Sequence, residues 1–219
     1  MRPKRIFLVR HAQSEGNVNF HLYETLSDPK IPLTTVGEQQ ALATGEELKK
    51  IVGHETVQFY VSPYRRTRET SEFLIRGMEL KENQYIRYED PRLREQDWGN
   101  FRSVEALEPI QKERYEYSPF FYRFPNGESG ADVFDRVSTF LETLYRGFEK
   151  PYYPENVIIV SHGLAIRLFF MRWYHWSVEE FESLANPQNA QWLLMELADN
   201  NKYILTTPLE QYSETDEDI

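Results

Sequence analysis

Two unbroken apolar runs dominate the pattern along the chain, Ile6 to Val9 and Val157 to Val160. Both are short and rich in β-branched residues, which predicts strands buried on both faces. Each ends in a polar turn that opens with a histidine, Arg10-His11 in the first case and Ser161-His162-Gly163 in the second. Val57 to Ser62 reads as a further strand and Tyr85 to Glu89 as a short one. Helical spacing governs Gly37 to Gly53, where Ala41, Gly45, Leu48 and Val52 share a face. It also governs Tyr64 to Gly77, residues 164–174 and, most clearly, Asp132 to Glu149, where Val133, Val137, Phe140, Leu144 and Phe148 recur. Trp192 to Leu197 and Tyr203 to Thr206 read as closing strands, the second at an edge.

Strands that alternate with helices predict an α/β fold, three layers α/β/α around a mostly parallel central sheet. Trp98 to Pro125 fits neither period and is rich in Tyr and Phe, which predicts a short helical insertion over the site. No internal repeat and no linker interrupts the pattern. The expectation is a single domain over 1–219, with the aromatic insertion at about 98–125 and an acidic, frayed tail at about 208–219.

Composition narrows the partners. With 25 Lys and Arg against 35 Asp and Glu, the formal charge is −10. No basic stripe is present, so nucleic acid is not expected. An anionic ligand must be held by a local cluster of cations, because the overall field repels it. The absence of cysteine excludes disulfides, thiolate nucleophiles and Cys-ligated zinc. The basic start, Met1 to Arg5, is followed by too short an apolar run for a signal peptide, and no stretch approaches a membrane span of ~18 apolar residues. A soluble, cytoplasmic protein is the expectation; the oligomeric state is left open.

In open α/β sheets ligands bind beyond the carboxyl ends of the strands. Strand-end turns therefore bring His11, with Arg10, and His162 to one place. Ser62-Pro63-Tyr64-Arg65-Arg66 sits at another strand end, opening a helix whose amides favour anions. Arg92-Leu93-Arg94-Glu95 adds a carboxylate. Two histidines, at least two arginines and one carboxylic acid are the parts needed for covalent phosphoryl transfer. A neutral imidazole attacks phosphorus, cations hold the equatorial oxygens, and the acid protonates the leaving oxygen before accepting a proton from water.

These residues carry a resemblance. Arg10-His11-Ala12-Gln13-Ser14-Glu15-Gly16-Asn17 resembles the signature turn of the histidine phosphatase superfamily, the phosphoglycerate-mutase-like proteins. Leu33 to Ala41, Ser62 to Thr70, Arg92 to Glu95 with Trp98-Gly99, Asn126 to Ser129 with Asp132, Arg136 and Val137, and Ser161-His162-Gly163 are similar to its later blocks, in family order. The resemblance implies a phosphorylated nucleophile at His11. It implies a phosphate clamp of Arg10, Arg66 and His162, a supporting donor at Asn17 and a catalytic acid at Glu95. Ala12 departs from the family's usual glycine and requires a negative φ there. Tyr115 to Phe124, leading into Asn126-Gly127-Glu128-Ser129, is similar to a short plant and fungal phosphoglycerate-mutase-like group.

Several readings compete. Glu128 rivals Glu95 as the acid, although a Glu early in a helix also serves its dipole. Arg65 and Arg68 read as a solvated helix face. His21, His54 and His175 have no supporting context. No metal and no cofactor are expected, since Arg10 beside His11 repels a cation. Only residues 96–126 lie between Glu95 and Gly127, shorter than the insertion that closes mutase sites. The expectation is thus a metal-independent phosphatase acting on a small organic phosphate monoester through phosphohistidine. A cofactor-dependent phosphoglycerate mutase and a non-catalytic phospho-ligand or protein-binding module remain the alternatives.

Overall fold

The structure, a computed structural model, describes residues 2–99 and 103–212. Six strands form one sheet in the order β3-β2-β4-β1-β5-β6. They are β1 (Arg5–Arg10), β2 (Val57–Val61), β3 (Tyr85–Glu89), β4 (Asn156–Ser161), β5 (Trp192–Leu197) and β6 (Tyr203–Leu205). The first four named in sheet order are mutually parallel, while β5 runs antiparallel to β1 and β6 antiparallel to β5.

The apolar runs of β1 and β4 lie side by side in the middle of the sheet, Ile6 opposite Val157 and Val9 opposite Val160. Side chains alternate between faces along each strand. Ile6, Leu8, Val157 and Ile159 enter one core with α5 (Gly130–Phe148) and α6 (Gly163–Tyr174). Phe7, Val9, Ile158 and Val160 enter the other with α2 (Thr35–Val52) and α3 (Arg65–Gly77). This is the three-layer α/β/α arrangement that the alternation of periods predicts.

Local chemistry sets the helix ends. Thr34 caps α2 by accepting the amide of Gly37 at 2.9 Å, and Ser129 with Asp132 forms a capping box at the start of α5. Gly37 also lets α2 approach the turn after β1, because a Cβ there would lie 2.0 Å from the Gln13 carbonyl oxygen.

Five short elements lack a predicted counterpart: α1 (Glu15–Val18), the 3-10 turns at Phe20–Glu24, Asp28–Lys30 and Pro91–Leu93, and α7 (Val178–Glu182). The insertion contains α4 (Val104–Tyr117), which buries only Leu107 and Arg114 and carries Pro109 inside it; residues 100–102 of the expected 98–125 insertion lie outside the described residues. The frayed tail is corrected at its start. The Glu210 carbonyl accepts from the Ala185 amide at 3.0 Å and the Tyr212 amide donates to Ser183 at 2.7 Å, so 210–212 is pinned to the body. Residues 213–219 lie outside the described residues. Among the described residues no helix is long and apolar enough to cross a membrane.

Candidate active site

The order β2-β4-β1 sets three strand ends side by side. His11 follows β1, Ser62 follows β2 and His162 follows β4. The two imidazole rings stand 5.2 Å apart, centroid to centroid.

His11 is fixed through its backbone. Its amide donates to the Ser161 carbonyl at 2.9 Å, and its carbonyl accepts from the Ala190 amide and from Nδ2 of Asn189. Its Nδ1 lies 2.8 Å from the Ala12 carbonyl oxygen. That oxygen only accepts, so the hydrogen bond places the proton on Nδ1 and leaves the Nε2 lone pair free. Burial, followed by the charges of Arg66 and Arg10, holds His11 well below the ordinary imidazole pKa. Ala12 is fully buried, with its amide on Thr70 Oγ1 at 3.0 Å. It is not among the positive-φ residues, so the alanine needs no strained backbone.

His162 is fully buried and does not itself line the cavity that opens over His11. Ser62 Oγ lies 2.8 Å from its Nε2, and its Nδ1 is 3.7 Å from Glu95 Oε2 with no hydrogen-bond partner. A hydroxyl that donates to Nε2 leaves the ring proton on Nδ1, toward Glu95. Burial again leads in lowering its pKa, with Arg66 and His11 adding to it.

A cavity of about 390 Å³ opens over His11. Arg10, Asn17, Arg66 and Glu95 all line it. Arg10 donates to the Pro187 carbonyl at 2.6 Å. Arg66 is 2 % exposed, donates from Nη1 to Asp28 Oδ1 at 2.5 Å, and keeps a buried Nε without a partner. Asn17 accepts on Oδ1 from the amide and hydroxyl of Ser14, so its Nδ2 is the group it can offer a ligand. Arg65 instead pairs with Glu69 on the helix exterior and Arg68 is exposed.

The two candidate acids occupy different environments. Glu95 lines the cavity, and burial is the main cause of its raised pKa, aided by Asp28 and opposed by Arg66 and the Gln96 amide. Glu128 does not line the cavity. Burial works against its ionisation, but hydrogen bonds and charge from Arg136, the Asp97 amide and Arg94 outweigh that and hold its pKa below the usual carboxylate value. Arg136 also donates to the carbonyls of Arg92, Arg94 and Glu95 at 2.7, 2.9 and 3.1 Å. Ser161 Oγ donates to the Leu93 carbonyl at 2.8 Å. The 92–95 loop is thus tied both to α5 and to the end of β4.

The insertion expected over the site contributes little of itself to the cavity. Of Tyr115, Tyr117, Phe120, Phe121, Tyr122 and Phe124, none lines the cavity. Phe120 and Phe124 are core residues, while Tyr117 and Phe121 face solvent. The rings that line it are Phe20, Tyr23, Tyr64 and Trp98. Phe124 acts one layer back, stacking under Trp98 at 5.5 Å. Tyr23 packs on Gly16, where a Cβ would lie 2.7 Å from its hydroxyl, and burial pushes its pKa up to about 12, so it stays a protonated donor. Sequence reading missed Phe20, Tyr23 and Asp28, which sit on irregular turns. The one available signal was their place immediately after the Arg10–Asn17 block.

Such a fold, with this cluster at the strand ends, defines a phosphoryl-handling class. The model of the histidine phosphatase superfamily (branch 1) matches residues 6–208, and the chain belongs to that family. Phosphoglycerate mutase-like protein AT74 of Arabidopsis thaliana is 46% identical over 215 residues, covering 93% of this chain and 68% of the relative. The broad-range acid phosphatase DET1 of Saccharomyces cerevisiae is 30% identical, covering 100% of this chain and 93% of that one. Among solved structures, a mycobacterial glucosyl-3-phosphoglycerate phosphatase shares the fold with a TM-score of 0.72 at 22% identity, covering 93% of this chain and 98% of its own. Phosphatases among its relatives support a phosphatase enzyme acting on a small phosphorylated substrate.

Proposed function

We propose that the protein hydrolyses small organic phosphate monoesters through a phosphohistidine at His11, without a metal. The observation that carries this reading is the setting of His11: Nδ1 held on the Ala12 carbonyl, pKa lowered by burial and two arginines, and a place in the lining of a cavity with Arg10, Arg66 and Glu95. Arg10 and Arg66 supply the positive charge that the phosphoryl group requires, with Nδ2 of Asn17 and Nδ1–H of His162 as further donors. Nε2 of His11 attacks phosphorus, and the P–O bond to the leaving group breaks. Glu95, whose pKa burial raises, gives its proton in its acid form to that oxygen. As carboxylate it then takes a proton from water, whose oxygen attacks the phosphohistidine and releases inorganic phosphate and the neutral imidazole.

Hydrolysis rather than mutase chemistry is favoured by the short 96–126 segment and by phosphatases among the relatives. The test is rapid quenching of the enzyme with a 32P-labelled monoester. The expected result is acid-labile, alkali-stable label on the wild type and none on His11→Ala, with turnover undiminished by a chelator. Label that survives in His11→Ala, or turnover lost on chelation, overturns the reading.

A further inference from the structure

Carboxyl groups outnumber permanent cations among the described residues that line the cavity. Among its described lining residues, Arg10 and Arg66 are the permanent cations, against carboxyl groups on Asp28, Glu95 and Asp97. Asp28 already holds one edge of the Arg66 guanidinium, with Oδ1 at 2.5 Å and its own carbonyl at 3.1 Å from Nη1. Arg66 is therefore a shared cation before any substrate arrives. A phosphate dianion uses what remains of Arg66 together with Arg10. The rest of the described lining includes Phe20, Tyr23 and Trp98, with the carboxyl groups of Asp28, beside Arg66, and of Asp97.

An additional anion on the leaving group would lose water against aromatic rings. It would find no described cation of its own and would face two carboxylates. Burying an uncompensated charge is among the costlier events in a binding site, and repulsion built against the wrong ligand is a recognised source of specificity. We propose that the cavity selects singly phosphorylated esters whose leaving group is neutral or cationic, and that Asp28 sets this selection. The inference rests on the phosphatase reading above and names its substrate class. Phosphoglycerates and bisphosphates, which carry a carboxylate or a second phosphate, fall outside that class.

Glycerol 3-phosphate and 3-phosphoglycerate form the matched pair that tests it. They share the phosphate and the primary leaving oxygen and differ at the far carbon, hydroxymethyl in one and carboxylate in the other. The wild type should favour glycerol 3-phosphate by about 30-fold in kcat/KM, about 2 kcal/mol. Asp28→Asn keeps a carbonyl acceptor for Arg66 and removes the charge. It should shrink that preference by about tenfold, whatever happens to the absolute rates, because changes at the shared phosphate cancel in the ratio. The wild-type ratio needs no variant and stands as a test if Asp28→Asn misfolds. A wild-type ratio near one or favouring 3-phosphoglycerate overturns the inference, as does a folded Asp28→Asn with an unchanged ratio. Both leave the phosphatase reading intact. Absence of hydrolysis of these esters and of para-nitrophenyl phosphate, with no labelled enzyme, instead removes the phosphatase reading and the inference with it.

Discussion

Nδ1 of His11 and the carbonyl of Ala12, 2.8 Å apart, make a hydrogen bond between adjacent residues that fixes the tautomer of the buried imidazole. The ring cannot turn to present Nδ1 to the cavity without leaving the Ala12 oxygen unpaired in a fully buried place. His11→Gln, which offers an amide of similar reach and no nucleophile, should therefore bind vanadate while turnover falls by at least ~10³-fold, a loss of ~4 kcal/mol of transition-state stabilisation. A crystal structure with vanadate should place Arg10, Arg66 and His162 within about 3 Å of its oxygens; Arg65 in their place would refute the assignment.

Glu95→Gln and Glu128→Gln should separate cleanly. The first should cost ~10²-fold or more in kcat on alkyl phosphates and much less on para-nitrophenyl phosphate, whose leaving group needs little protonation. The second should act on stability, because it removes the charge that Arg94 and Arg136 surround, at about 2–3 kcal/mol. The folded-state pKa of Glu128 is depressed, so its contribution is present above the unfolded value and is lost as pH falls through the folded one. Thermal melts between pH 3 and pH 6 should show a shallower acid limb in Glu128→Gln. A leaving-group dependence in that variant, with none in Glu95→Gln, would move the acid to Glu128.

The pH profile follows from two opposite shifts. His11 must be neutral, and its lowered pKa extends activity toward acid. Glu95 must be protonated, and its raised pKa extends activity upward from the usual carboxylate range. Activity on alkyl phosphates should rise as pH climbs through the His11 value and fall as it climbs through that of Glu95. The optimum should lie on the acid side of neutrality. In Glu95→Gln the alkaline fall should vanish from kcat/KM; its persistence would assign that limb to another group.

Substrate choice should reside in the rings that line the cavity. Alanine at Phe20 or Trp98 should change the kcat/KM ratio between a bulky and a compact ester by ~10-fold, about 1.4 kcal/mol. Alanine at Tyr117, 70% exposed and away from the cavity, should leave the ratio unchanged. Phe124→Ala should lower the melting temperature and, through lost support of Trp98, change the ratio as well.

What the sequence reveals here follows how each residue meets the solvent. Ile6 to Val9 and Val157 to Val160 are buried on both faces, so burial is written in unbroken apolar letters and β1 and β4 are legible to within a residue. The site residues at their ends inherit that legibility, since a strand end has a fixed place in a parallel sheet. Phe20, Tyr23 and Asp28 lie on turns with no period, and only the return of the chain over the strand ends brings them to His11. The rings of the insertion mislead for a related reason. Phe120 and Phe124 are apolar because they complete the core, and no one-dimensional pattern separates a ring that faces the core from one that faces a ligand. Arg94 and Arg136 likewise conceal their use: their charge goes to Glu128, which in sequence is the rival of Glu95 for the acid.

Arg136 links three consecutive-region carbonyls of the 92–95 loop to a helix, and this gives α5 a second job. The loop has no strand or long helix of its own around Glu95, so the carboxyl takes its coordinates from the helix that Arg136 stands on. The next residue, Val137, and Phe140 one turn along are wedged fully into the core. Trimming either side chain lets α5 settle by some fraction of an ångström, and the guanidinium carries that displacement to the cavity wall. A mutation deep in the hydrophobic interior should thus be felt as a mistimed proton, slowing poor leaving groups more than good ones, before it is felt as unfolding.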